Sequence, residues 1–346
     1  MATTLWLAKL DDKGPWAAVA LGLIVSIAFL LSRCALDGIF LATSGFPAGY
    51  EPLWQSSLWW PEIVNAVLVG YLPAALVIAR QGIYRDFRSL SPWLPQNDAG
   101  AASMHAAATR PARLAGRIFK LCVLAGSIAL VFIDPSLTLG TEPSLANPAF
   151  LWSLLRIPVF IWLVCTLAVA DIIATQTYYR AGRNLIEVDL LDVHSLTSFA
   201  RRGLRSSLIW VIFSIIFSLF WLGDDTAYGQ NFSLLVIVLA MATTTFVIPM
   251  MGVRANILSV KRKELDRLRE EIRGERAAVS KLQTNNAATS PRLANLIAYY
   301  QLIDRTQEWP IDAVNVLKFF LYLLIGLGSW LGGALVEVML DRTLSG

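Results

Sequence analysis

Charge is scarce in this chain. Of its 346 residues, 16% are charged and 56% hydrophobic, against about 25% charge in a typical soluble domain. A mean hydropathy of +0.57, with several apolar runs longer than the ~18 residues of a transmembrane helix, excludes an ordinary soluble globule. Histidine is scarcer still. The two copies, His105 and His194, lie outside the apolar runs, so no Ser–His dyad can sit within a membrane. Cys34, Cys122 and Cys165 are far apart and each falls in an apolar run. That spacing gives neither a disulfide framework nor a metal site, and it reads as packed thiols acting as small hydrophobes. P-loop, dinucleotide and metal-hydrolase motifs are missing, so we expect no cofactor and no enzyme. Asp11 and Asp12 interrupt the region before the first apolar run, and Arg33 precedes Cys34. Neither a signal peptide nor a lipoprotein signal is expected.

What is present is a set of seven apolar segments, at about 15–40, 61–79, 117–134, 149–173, 206–223, 231–253 and 314–340. The predicted fold is an all-α polytopic membrane helix bundle with a cytoplasmic helical hairpin. Of the 29 lysines and arginines, 26 fall in alternate segments, and the intervening loops 41–60, 135–148 and 224–230 contain none. Cationic loops stay on the cytoplasmic side. The expected topology is therefore an inner-membrane protein with seven crossings, a cytoplasmic N-terminus and a periplasmic C-terminus. Trp54, Trp59, Trp60 and Trp221 fall at the expected outer ends, and Trp16 and Trp309 at the inner ones, where amphipathic rings favour the headgroup level.

Residues 1–253 form the membrane part up to the sixth span, 254–310 the hairpin, and 311–346 the seventh span with a short outer tail. Leu258, Leu265, Ile272 and Val279 recur every seven residues, with Leu268 and Leu282 as companions, while Lys261 and Glu275 interrupt the seam. Pro291 suits the first turn of a second helix. The hairpin is a candidate route to a homo-oligomer or a protein partner. Acids are mixed with its basic residues, so it reads as a solvated surface and not a nucleic-acid patch. Upstream, residues 184–205 read as an interfacial elbow, with Arg201, Arg202 and Arg205 on lipid phosphate; the competing reading is a small polar site at Asp189, Asp192 and His194.

The stretches RNLIEVDLLDV, FARRGLR and EWPIDAVNVLKFFLYLLIGLGSWLGGALVE resemble segments of polytopic inner-membrane proteins of proteobacteria. The similarity covers the C-terminal half. It implies a membrane fold, and it carries no activity or site residues.

Charges inside the spans are the remaining signal. Arg33 and Asp37 are one turn apart in the first span, placed to pair near its outer rim. Glu62, Asp134, Arg156 and Glu337 reach the same outer level, with Glu337 as the first candidate partner for Arg156. Asp171 is expected at the inner boundary, in easy reach of solvent and too far in depth from Asp37 to share a proton. Gly328 and Gly332 have the spacing of close helix contacts, read first as packing within one chain. Gly70 with Pro73, and Pro249, are expected to kink spans two and six. Two functions fit these residues: a channel or transporter with a charged outer vestibule, or a non-transporting scaffold or sensor acting through the hairpin. Intramembrane charge favours the first and the long hairpin the second, and on sequence the balance falls on permeation.

Overall fold

The computed structural model describes residues 15–43, 45, 52–53, 59–90, 121, 123–129, 147–185, 197–220, 228–282, 291–309 and 313–344. They form α1 (Pro15–Thr43), α2 (Trp59–Leu90), α3 (Pro148–Arg183), α4 (Thr197–Ser218), α5 (Tyr228–Leu282), α6 (Pro291–Asp304) and α7 (Ala313–Leu344). A further helical stretch lies at 123–129. The architecture is an all-α membrane bundle carrying a helical hairpin. Long apolar stretches in α1, α2, α3 and α5 are each sufficient to cross a bilayer. The third expected span, at 117–134, lies largely outside the described residues.

Local sequence explains the helix ends. Asn147 caps α3, its side-chain oxygen accepting from the Ala149 N–H at 2.9 Å, with Pro148 in the first turn. Arg180 and Arg183 occupy the last turn, where cations complement the helix dipole. Pro73, Pro158 and Pro249 lie inside helices that continue past them.

Packing fixes the directions of the helices. On α1 and α2, Gly22 meets Gly70 while Asp37 reaches Leu53, the antiparallel pattern. A Cβ on Gly70 would overlap Ser26 Oγ and the Gly22 carbonyl. This glycine is therefore needed for close helix contact, a role that the kink reading of the sequence missed. On α2 and α3, Glu62 meets Arg156 and Asp86 meets Tyr178, so these two run parallel. Trp60 binds the Leu219 carbonyl and Arg205 binds Asp86, so α4 opposes α2. Gly182 packs on Val253 and Gly252 on Tyr179, which makes α5 parallel to α3. Phe246 stacks on Phe319 and Arg254 lies over Trp309, which makes α7 antiparallel to α5. Thus α1, α4 and α7 point one way and α2, α3 and α5 the other. Helices α2 and α3 run parallel, and the apolar run 117–134 lies between them in the sequence.

We call the end where α2 begins the upper end and the end where α5 leaves the bundle the lower end. Val64, Leu68, Leu72, Leu167, Ile209, Val211 and Phe213 form an apolar layer between them. A second core runs from Leu90, Tyr178 and Phe199 through Met250, Val253 and Ile257 to Leu265, Leu268 and Ile303. It joins the bundle to the hairpin, and α5 passes residue 253 without a break.

Candidate functional site

Two buried charged clusters and one clamp stand out. The upper cluster is built by α1, α2 and α3. Arg33 Nη1 lies 2.6 Å from Asp37 Oδ1, and Asp37 Oδ2 accepts from the Leu53 N–H at 2.9 Å. Arg156 Nη1 lies 3.0 Å from Glu62 Oε1, and the Trp152 indole N–H donates to Glu62 Oε2 at 3.1 Å. The Arg33 guanidinium sits 5.9 Å from the Trp152 ring centre, so this tryptophan touches both pairs. Arg33, Asp37, Glu62 and Arg156 are all buried.

The structure therefore gives Arg156 a partner on α2. The expectation from sequence named Glu337 first because both groups lie in the outer halves of their spans. Depth along a helix is legible from residue counting, whereas the face a residue turns to its neighbours is not. The side chain of Glu337, and Asp134, lie outside the described residues.

The lower cluster is built by α2, α3 and α4. Asp171 is buried and held by three side chains. Arg202 Nη2 approaches Oδ1 at 2.8 Å, Ser206 Oγ lies 2.6 Å from both oxygens, and the Trp210 indole N–H donates to Oδ2 at 2.8 Å. About two turns lower, Asp86 takes two hydrogen bonds from Arg205, at 3.1 and 3.2 Å, and one from the Tyr178 hydroxyl at 3.1 Å. The Arg202 guanidinium lies 5.7 Å from the Tyr178 ring centre and links the two acids. Gly82 makes room for Arg205, because a Cβ there would occupy the guanidinium's place.

Two readings from sequence are corrected here. Asp171 is not solvated at a boundary; it is 6% exposed and bonded within the bundle. Arg202 and Arg205 do not reach lipid phosphate, since both form internal ion pairs. A signal existed: Arg202, Ser206 and Trp210 repeat every four residues on one face of α4, opposite Asp171 and Tyr178 on one face of α3. Asp189, Asp192, His194 and His105 lie outside the described residues.

The clamp lies below the bundle. Lys261 is buried, and its Nζ donates to the carbonyls of Asp304 and Thr306 at 2.7 and 3.1 Å. A lysine that interrupts a heptad seam thus caps the carbonyl end of α6. Arg254 lies 4.5 Å from the Trp309 ring centre and 3.7 Å from Glu308. Of the seam residues, Leu265 and Leu268 are buried with Ile303, and Leu296 and Tyr300 pack beside them. Leu258 and Ile272 are half-buried. The side chains of Val279 and Leu282 are outside the described set. At the far end Arg292 meets Glu275 at 2.9 Å.

In α7 the glycine that packs within the chain is Gly326, where a Cβ would lie 3.3 Å from Val211. Gly328 and Gly332, expected to pack there, face open space among the described residues. Gly326 is two residues from Gly328, about 200° around the helix, so the face that meets α4 is nearly opposite to that of the predicted stripe.

Chemically, both clusters match each guanidinium to a carboxylate and add neutral donors. Among the described residues no group of three or more His, Cys, Asp or Glu could hold a metal ion. No family model matches the chain, and neither a curated protein nor a solved structure does.

Proposed function

We propose that this integral membrane protein is a non-transporting scaffold or sensor, in which the bundle anchors and orients the hairpin. One observation carries the reading: a single core runs from the bundle's lower end into the hairpin through the unbroken helix α5. A rearrangement of α3 or α4 would move Tyr178 or Phe199, and with them the base of the hairpin. The same geometry changes how the intramembrane charges weigh. The four carboxylates are engaged by arginines on their own or neighbouring helices, and an apolar layer separates the two charged levels. That arrangement suits fixing helices in register.

Permeation is the second reading. Its support is the presence of charge at two depths in the bundle interior, about 22 Å apart from Arg156 to Asp171 along α3. Reconstitution separates the two. The scaffold reading expects liposomes containing the purified chain to pass Na⁺, K⁺, H⁺ and Cl⁻ at the rate of protein-free liposomes. A selective flux that Glu62→Gln or Asp171→Asn abolishes would replace it with a transport function. The proposed setting is an inner membrane with the lower end and the hairpin in the cytoplasm. The cation-free loops support it, as do the opposed directions of α1, α4 and α7 against α2, α3 and α5.

A further inference from the structure

The lower end carries arginines of two kinds. Arg202 and Arg205 are turned inward and paired. Arg85, Arg180, Arg183, Arg201 and Lys318 are exposed and form no ion pair among the described residues. Their depths agree. Arg85 adjoins Asp86, Arg180 and Arg183 follow Tyr178, Arg201 lies one turn before Arg205, and Lys318 adjoins Phe319, which stacks on Phe246. Converted at the helical rise, these positions fall within a layer about 10 Å thick. Four different helices supply them, so they form a collar around the bundle and not a stripe on one element. The upper loops 41–60, 135–148 and 224–230 hold no lysine or arginine.

A headgroup layer is about as thick as this collar, and lipid phosphate is the acceptor it offers. We infer that the collar binds anionic lipid headgroups, selecting them over zwitterionic ones. Phosphate oxygens supply acceptors that these five side chains do not find among the described residues. Juxtamembrane cations near an anionic surface attract it additively. Arg262, Lys263 and Arg305 are also exposed, but they project further along the hairpin and contribute little at headgroup depth.

The test uses the full chain reconstituted in phosphatidylcholine bilayers with trace spin-labelled lipid. The motionally restricted fraction of spin-labelled phosphatidylglycerol is compared with that of spin-labelled phosphatidylcholine. The wild-type chain should restrict phosphatidylglycerol more, and raised salt should reduce the excess. The variant Arg180→Gln with Arg183→Gln should lower the relative affinity on the order of tenfold. The variant Arg262→Gln with Lys263→Gln should leave it unchanged. All substitutions are at exposed positions, so thermal unfolding in detergent should stay close to the wild type, with at most a small loss where Arg180 and Arg183 complement the α3 dipole. Equal restriction of both lipids by the wild-type chain would overturn the inference, as would an excess undiminished in the Arg180/Arg183 variant. An excess lost only in the Arg262/Lys263 variant would overturn it too, by moving the site to the hairpin.

Discussion

Arg156 and Arg202 solve one problem at opposite ends of α3. A guanidinium placed within a bilayer is costly, by ~2.5–3.5 kcal/mol even on insertion scales when central. Each is met by a carboxylate on a neighbouring helix and by a tryptophan N–H that saturates the acid's other oxygen. Removing one partner strands the other, at about 3–5 kcal/mol in buried pairs. Thus Arg156→Ala and Glu62→Ala should each lower the thermal midpoint in detergent, and the swap Arg156→Glu with Glu62→Arg should recover part of the loss. Additive losses without rescue would show that the two do not pair. Asp171→Ala should cost more than Asp37→Ala, because it releases Arg202, Ser206 and Trp210 together. Differential scanning of the two variants checks the order. The depths of Arg156 and Glu62 were legible in the sequence, whereas the burial of Asp171 and Arg202 and the pairing of all four were not. Residue counting gives depth to within a turn, whereas pairing depends on the rotation of each helix about its axis. Arg201, Arg202 and Arg205 show the difficulty: close in sequence, they divide between the exposed surface and the interior.

Among the elements, α5 and α6 were the most readable. The heptad spacing of Leu258, Leu265 and Ile272, together with Pro291 opening α6, announced a hairpin, and the seam is where α6 packs. Its two polar intruders carried the information that periodicity could not interpret. Lys261 caps α6 and Glu275 receives Arg292, so the imperfect positions mark the two ends of the contact. Because α6 occupies the seam, association of the folded chain through Leu265 and Leu268 would require α6 to leave. Lys261→Met keeps the stem and removes the donor. It should raise amide hydrogen exchange in residues 300–306 while leaving α2 and α3 protected, as read by mass spectrometry. Unchanged exchange at 300–306 would show that the cap contributes nothing.

At the scale of the molecule, the alternation of cationic loops and the directions of the helices agree. Helices α1, α4 and α7 oppose α2, α3 and α5, which is the relative sense that the loop charges expect of spans one, five and seven against two, four and six; the fourth expected outward crossing, at 117–134, lies largely outside the described residues. A topology reporter at Gly346 should therefore report the periplasm and one inserted at Asn285 the cytoplasm. A cytoplasmic signal at Gly346 would mean that the crossing between α2 and α3 is missing.

The central claim is that the bundle and the hairpin form one rigid body, since a scaffold or sensor can transmit orientation only through such a body. Spin labels at Gln176→Cys on α3 and Arg276→Cys on α5, with Cys34, Cys122 and Cys165 replaced, report it by pulsed dipolar spectroscopy in lipid nanodiscs. Gln176 lies about level with residue 247 of α5, so the labels should be roughly 44 Å apart along the axis. The account predicts a single narrow distribution at about that distance, broadening when Leu268→Asp breaks the shared core. A broad distribution in the otherwise wild-type chain would contradict it.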